Sequence, residues 1–110
     1  MDEWEVIHAY TRKQALEDGV FMDVTALAKE RGFNCSVVIT CGIYAELFKN
    51  NNFDKEELNI LLGLLFEEMR KKDFKSDLYE ADYKGKRVWL DAYWDEESKP
   101  AITIMFPEEY

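Results

Sequence analysis

Apolar residues recur along Phe53 to Asp73 at the spacing of one helix face. Leu58, Leu61, Leu62, Leu65, Phe66 and Met69 form the stripe, while Glu56, Glu57, Glu67, Glu68, Arg70 and Lys71 fall mostly off it. The pattern predicts a long helix over about 54–72. Its start carries Asp54 as an N-cap with Glu57 three residues on, the spacing of a capping box, and Phe53 before the cap is placed to staple onto Leu58. Ile60 and Leu64 widen the arc, which predicts burial against a broad surface such as a sheet. Gly63 marks either the close approach of another backbone or a position that tolerates glycine. Arg70, Lys71 and Lys72 suit the negative end of the helix dipole.

After the helix the period changes to two. Tyr79, Ala81 and Tyr83 alternate with Glu80 and Asp82, Lys84-Gly85-Lys86 reads as a turn, and RVWLDAYW follows as a second strand. Asp95 to Pro100 makes the next connection, and AITIMF is a third strand ended by Pro107. The expectation is a three-stranded antiparallel meander over about 76–83, 86–94 and 101–106, packed on one face by the long helix. Val88, Leu90, Ala92 and Trp94 share one side of the second strand, and Ile102, Ile104 and Phe106 share one side of the third, so this is the expected core face. Trp89, Asp91, Tyr93, Ala101, Thr103 and Met105 occupy the opposite face, together with one register of the first strand's tyrosines. That second face is aromatic and acidic; it is either covered by the N-terminal segment or a recognition surface, with Trp89, Asp91, Tyr93 and Met105 as its binding residues.

Upstream of the long helix the elements are shorter. The first ten residues alternate as a short edge strand or an extended arm. Thr11 and Gln14 form a capping box for a helix through RKQALED that Gly19 closes, and Thr25 is the expected N-cap of a second helix, ALAKER, closed by Gly32. Cys35 to Thr40 is apolar and partly β-branched. It fits a strand whose Thr40 caps a helix in CGIYAELFKN, and equally one helix continuous from Val37. The Asn50-Asn51-Asn52 tract is a turn. Together these predict a single α+β domain over residues 1–110.

Composition narrows the partners more than the chemistry. The 110-residue chain has a net charge of −9 and a pI near 4.6. Such a balance disfavours direct binding to nucleic acid or to an anionic membrane, where Lys and Arg must replace counterions. No apolar run approaches the roughly 20 residues of a membrane span. The chain opens on charged MDEWE instead of a signal peptide, and its two cysteines, Cys35 and Cys41, lie close in sequence, so the expectation is a cytoplasmic protein with reduced thiols.

Motifs of chemistry are sparse. His8 is the only histidine, the cysteines form no CxxC pair, and neither an EF-hand nor a Gly-rich phosphate loop is present, so no metal, cofactor or catalytic residue is assigned. Cys35 or Cys41 paired with His8 lacks any surrounding signature. Asp91 with Glu80 or Asp82 is a cross-strand carboxylate pair that a chain this acidic produces by chance.

Two stretches carry a resemblance. VIHAYTRKQALEDGVFMDVTALAKERGF (Val6 to Phe33) and PAITIMFPEEY (Pro100 to Tyr110) resemble the signature stretches of an uncharacterised family of small proteins, a domain of unknown function carried largely by bacterial plasmids, phages and integrated elements. Asn50 to Arg87 is less similar. The family has no established activity or cofactor, so the resemblance implies a mobile-element accessory protein and no particular reaction.

The sequence therefore supports a non-enzymatic, acidic accessory factor that docks on a host or element-encoded protein, a basic surface being its natural complement. A different class of function is a small-ligand-binding protein or enzyme with a pocket near His8, Tyr10, Asp23 and Thr25, residues at predicted element ends. A homodimer through the second sheet face, or through AITIMF as an edge strand, is the structural reading.

Overall fold

The computed structural model describes residues 11–110. The expected edge strand or arm in the first ten residues, with His8 and Tyr10, lies outside the described residues. In chain order the elements are α1 (Arg12–Glu17), β1 (Phe21–Asp23), α2 (Thr25–Glu30), β2 (Ser36–Thr40), α3 (Cys41–Leu47), β3 (Phe48–Lys49), β4 (Asn52–Phe53), α4 (Lys55–Lys71), β5 (Leu78–Tyr83), β6 (Lys86–Trp94), β7 (Pro100–Met105) and a 3₁₀ turn, Pro107–Glu109. The class is mixed α+β.

The sheet is larger than the alternating pattern predicts. Five strands run in the order β1-β2-β7-β6-β5, with β2 parallel to β7 and the other neighbours antiparallel. AITIMF is thus not an edge. β7 lies between β2 and β6, and no homodimer can form by pairing along it. The reason is in β2: Val37, Val38 and Ile39 are all fully buried, a run apolar on both faces, which is what an interior strand covered from both sides requires. Ser36–Thr40 is therefore a strand, and Thr40 caps the separate helix α3 by accepting from the Ile43 N–H at 3.4 Å.

One face of the sheet carries the core. Val37, Ile39, Ile102, Ile104, Leu90, Val88, Ala81 and Tyr79 meet Leu58, Leu61, Leu62 and Leu65 of α4, with Ala28 of α2 and Ile43 and Leu47 of α3. The strand tyrosines Tyr79 and Tyr83 lie on this face, opposite to Trp89, and not on the second face. Trp94, expected in the core, is 72% exposed, because β6 runs on to pair with Pro100 at the end of the sheet. Ile60 and Leu64 are also exposed, at 48% and 40%, so the buried stripe of α4 is narrower than its leucine count suggests.

Local signals are met unevenly. Thr11 and Gln14 form the capping box of α1, the Thr11 hydroxyl accepting from the Gln14 N–H at 3.0 Å. Asp54 caps α4 by accepting from the Glu57 N–H at 3.1 Å. The Glu57 side chain does not return to close a box; it accepts from the Tyr83 hydroxyl and pairs with Lys84 at 2.9 Å. The neighbour of Gly63 is not a backbone but the Arg31 guanidinium, which a Cβ there would meet at 3.2 Å.

At the other end of the chain, Glu109 folds back onto the start of α3. Its carboxylate accepts from the Thr40 hydroxyl at 2.7 Å, the Gly42 N–H at 3.2 Å and the Phe106 N–H at 2.9 Å. A Cβ on Gly42 would stand 2.7 Å from that carboxylate, so glycine leaves it room.

The Tyr83 phenol is held protonated well above the ordinary tyrosine value of 10.0, chiefly by burial and then by its bond to Glu57. The Tyr83 and Lys84 hydrogen bonds draw the Glu57 carboxyl below its usual range. An unfolded chain releases the tyrosine proton near 10 while the fold retains it, so stability is expected to fall as pH rises beyond about 10. Tyr83→Phe should flatten that alkaline decline in a series of urea melts; an unchanged slope would exclude Tyr83 as its source.

Candidate functional site

The second face of the sheet is organised by Arg12. Thr11 begins α1 beside the sheet, and the Arg12 side chain, 7% exposed, enters between the strands. Its guanidinium donates to the Ser36 carbonyl, the Ser36 hydroxyl and the Ile102 carbonyl, each at 3.0 Å, to Thr103 Oγ1 at 3.3 Å and to the Tyr93 hydroxyl. Tyr93 and Thr103 also bond to each other at 2.7 Å. These acceptors are all neutral, and among the described residues no carboxylate forms an ion pair with Arg12. The group fixes α1 across β2, β7 and β6, and Ala15 of the same helix is fully buried.

Helix α1 therefore covers part of this face. Val38, Ala101, Thr103 and Met105 are buried, while Trp89, Asp91 and Tyr93 remain half-buried. Beside Arg12 opens a cleft of about 320 Å³. Asp91, Tyr93 and Met105 line it, with Asp95, Glu96 and Tyr110, which the alternating pattern does not single out, and Trp94, which that pattern assigns to the core face. Met105 contributes a buried wall instead of an exposed contact. Trp89 is not in the lining; it touches Tyr110 edge-on, with ring centroids 5.8 Å apart, and donates its indole N–H to Glu80 at 2.9 Å.

The aromatic and acidic groups of the rim differ in freedom. Trp94 and Tyr110 are 72% and 54% exposed. The Asp95 carboxylate accepts from the backbone N–H groups of Lys99 and Glu97, both at 2.9 Å, and the Lys99 bond foremost holds its carboxyl below the usual range. Glu96 accepts from the Lys13 N–H at 3.3 Å, tying the rim to α1. Among the described residues Arg12 is the only cation lining the cleft, and its donors serve the strands beneath, so the carboxylates of the described rim outnumber the cations.

The other candidates are placed apart from this cleft. Asp23 accepts from the Thr25 N–H at 2.8 Å, and Thr25 is the first helical residue, not the N-cap. Its hydroxyl accepts from the Val37 N–H at 3.0 Å and donates to the Val37 carbonyl at 3.3 Å, joining α2 to β2. Both side chains are taken up by that corner of the fold. Asp91 faces Leu78 across the strands, whereas Glu80 faces Trp89 and Asp82 faces Arg87, so the carboxylates are not directly paired. Burial pushes the Cys35 thiol up, Arg12 opposing it, which disfavours a thiolate nucleophile. Cys41 donates its S–H toward the Gly19 and Val20 carbonyls, each at 3.2 Å. Among the described residues no group of three or more His, Cys, Asp or Glu side chains converges to hold a metal ion. Among them, too, no helix is long and apolar enough to cross a membrane.

No protein-family model, curated protein or solved structure matches the chain.

Proposed function

We propose that the chain is an acidic, non-enzymatic accessory factor that binds a protein partner of basic surface through the rim of the second-face cleft. The observation that carries this reading is the setting of Trp94 and Tyr110, two exposed aromatic side chains, beside Asp91, Asp95 and Glu96 around one cleft. Exposed aromatics supply large contact area at little entropic cost, and surrounding carboxylates on a chain of net charge −9 attract a cationic partner and orient its approach. The mobile-element setting rests on the resemblance of Val6 to Phe33 and Pro100 to Tyr110, and a host or element-encoded protein that handles nucleic acid has a surface of the required sign. The pocket reading around Asp23 and Thr25 draws no support from their geometry, since both side chains hold the α2–β2 corner together.

The test is affinity capture from a bacterial lysate at low and moderate salt, with the intact protein and with Trp94→Ala as baits. A partner of high pI, retained at low salt, released as salt rises and lost with Trp94→Ala at unchanged thermal stability, is the expected result. Equal recovery by Trp94→Ala, or no recovery at any salt, would overturn it.

A further inference from the structure

The outer edge of β5 and one flank of α4 form a second surface, away from the cleft. The Asp77 carbonyl accepts from the Ala92 N–H at 2.8 Å, and the register pairs Tyr79 with Leu90, Glu80 with Trp89 and Ala81 with Val88. Because an antiparallel ladder alternates bonded and non-bonded pairs, Tyr79, Ala81 and Tyr83 turn their backbone groups toward β6. Those of Leu78, Glu80 and Asp82 point away from the sheet. The Ser76 hydroxyl occupies both groups of Leu78, donating to its carbonyl at 2.9 Å and accepting from its N–H at 3.3 Å. Beyond Glu80 and Asp82 there is no further strand among the described residues, since β5 ends the sheet.

The side chains flanking this edge alternate in character. Glu80 and Asp82 are exposed on the second face; Glu80 also meets Arg87 at 3.3 Å, and Asp82 accepts from the Gly85 N–H. On the other face, Glu57, Ile60 and Leu64 follow one flank of α4 at helical spacing. Glu57 bonds Tyr83 and Lys84 at the end of β5, which sets that flank along the β5 side of the sheet. Ile60 and Leu64 expose about half of their surface there.

We propose that β5 accepts an extended segment of a partner protein as a sixth strand, one in which lysine or arginine alternates with apolar residues. Backbone pairing to Glu80 and Asp82 supplies the affinity. The basic positions then lie beside the Glu80 and Asp82 carboxylates, and the apolar ones beneath Ile60 and Leu64. A second copy of this chain is a poorer occupant: β5 against β5 in antiparallel register sets Glu80 opposite Glu80 or Asp82, a like-charge contact. The edge and the Trp94 cleft are separate surfaces, joined on the second face only through the Glu80–Trp89–Tyr110 contacts, and both select a cationic partner.

The probe is a fluorescein-labelled peptide of alternating lysine and valine, titrated by anisotropy, with hydrogen exchange read at the Glu80 and Asp82 amides of the intact protein. Binding should weaken with salt and slow exchange at both amides. Glu80→Pro removes an outward N–H without touching the β6 ladder and should weaken binding about tenfold. Leu64→Asp should weaken it too, and Trp94→Ala should leave it unchanged. Absence of binding, unaltered exchange at Glu80 and Asp82, or equal affinity for a glutamate–valine peptide would overturn the proposal. Failure here with Trp94-dependent capture intact leaves the cleft reading standing.

Discussion

Leu62→Ala is expected to lower the free energy of unfolding by about 2–5 kcal/mol, the range for truncating a leucine inside a packed core. Leu62 is fully buried and belongs to the cluster that joins α4 to Leu90, Ile102 and Ile104. Its loss removes apolar burial and leaves a cavity that the sheet, braced on both sides, closes only in part. Leu64, two residues along the same helix and 40% exposed, is the internal control: Leu64→Ala should change stability by no more than about 0.5 kcal/mol, as surface substitutions do. Urea melts of the two variants decide the matter. A Leu62→Ala loss below about 1 kcal/mol would mean that α4 is not packed as described.

Removing the buried cation has the second large expected effect. Arg12→Ala takes away hydrogen bonds from a charged donor to two backbone carbonyls and three hydroxyls. Bonds of this kind contribute more than neutral ones, and buried acceptors left unmade cost about 1–3 kcal/mol each. Against this stands the cost of keeping a guanidinium out of water with no carboxylate ion-paired to it among the described residues, several kcal/mol that the variant recovers. The bonds should prevail, with a net loss of about 2–4 kcal/mol, because β2, β7 and β6 all lose their common tie. Arg12→Lys keeps the charge but cannot span those acceptors, so it should fall between wild type and alanine. A neutral Arg12→Ala would show that desolvation and hydrogen bonding cancel at this site.

The helical stripe and the alternating segments were legible because burial on one side imposes a period on the sequence. The same logic explains what was not. Alternation places Tyr79, Ala81 and Tyr83 on a common face but does not say which face, and α4 decides that by covering them. Val37, Val38 and Ile39 are buried on both sides, so they carry no period, and the pairing of β2 with β7 has no local signature at all. Leu64 and Ile60 match the leucines around them in composition yet lie outside the contact, because the width of a packing surface is set by the partner element. At the site, Asp91 and Tyr93 could be read from their shared side of β6. Arg12 could not: a single arginine opening a short amphipathic helix looks like a solvated residue until a sheet is set against it. Trp94 departs from its expected place in the core because a strand that outruns its covering helix keeps its alternation while losing its burial.

The parallel pairing of β2 with β7 also bears on how the chain reaches this state. Ser36 pairs with Ala101, more than half of these 110 residues away, and the strand that separates β6 from β2 is synthesised after every other strand of the sheet. Local pieces such as the β5–β6 hairpin can form early, but the sheet closes only after a long loop has been ordered, and such closure slows folding relative to helical proteins of similar size. Refolding from urea should thus be limited by the docking of Pro100–Met105 between its neighbours. Until that step, the apolar faces of β2 and β6 are open to solvent, and dilution should favour recovery of the native chain over aggregation.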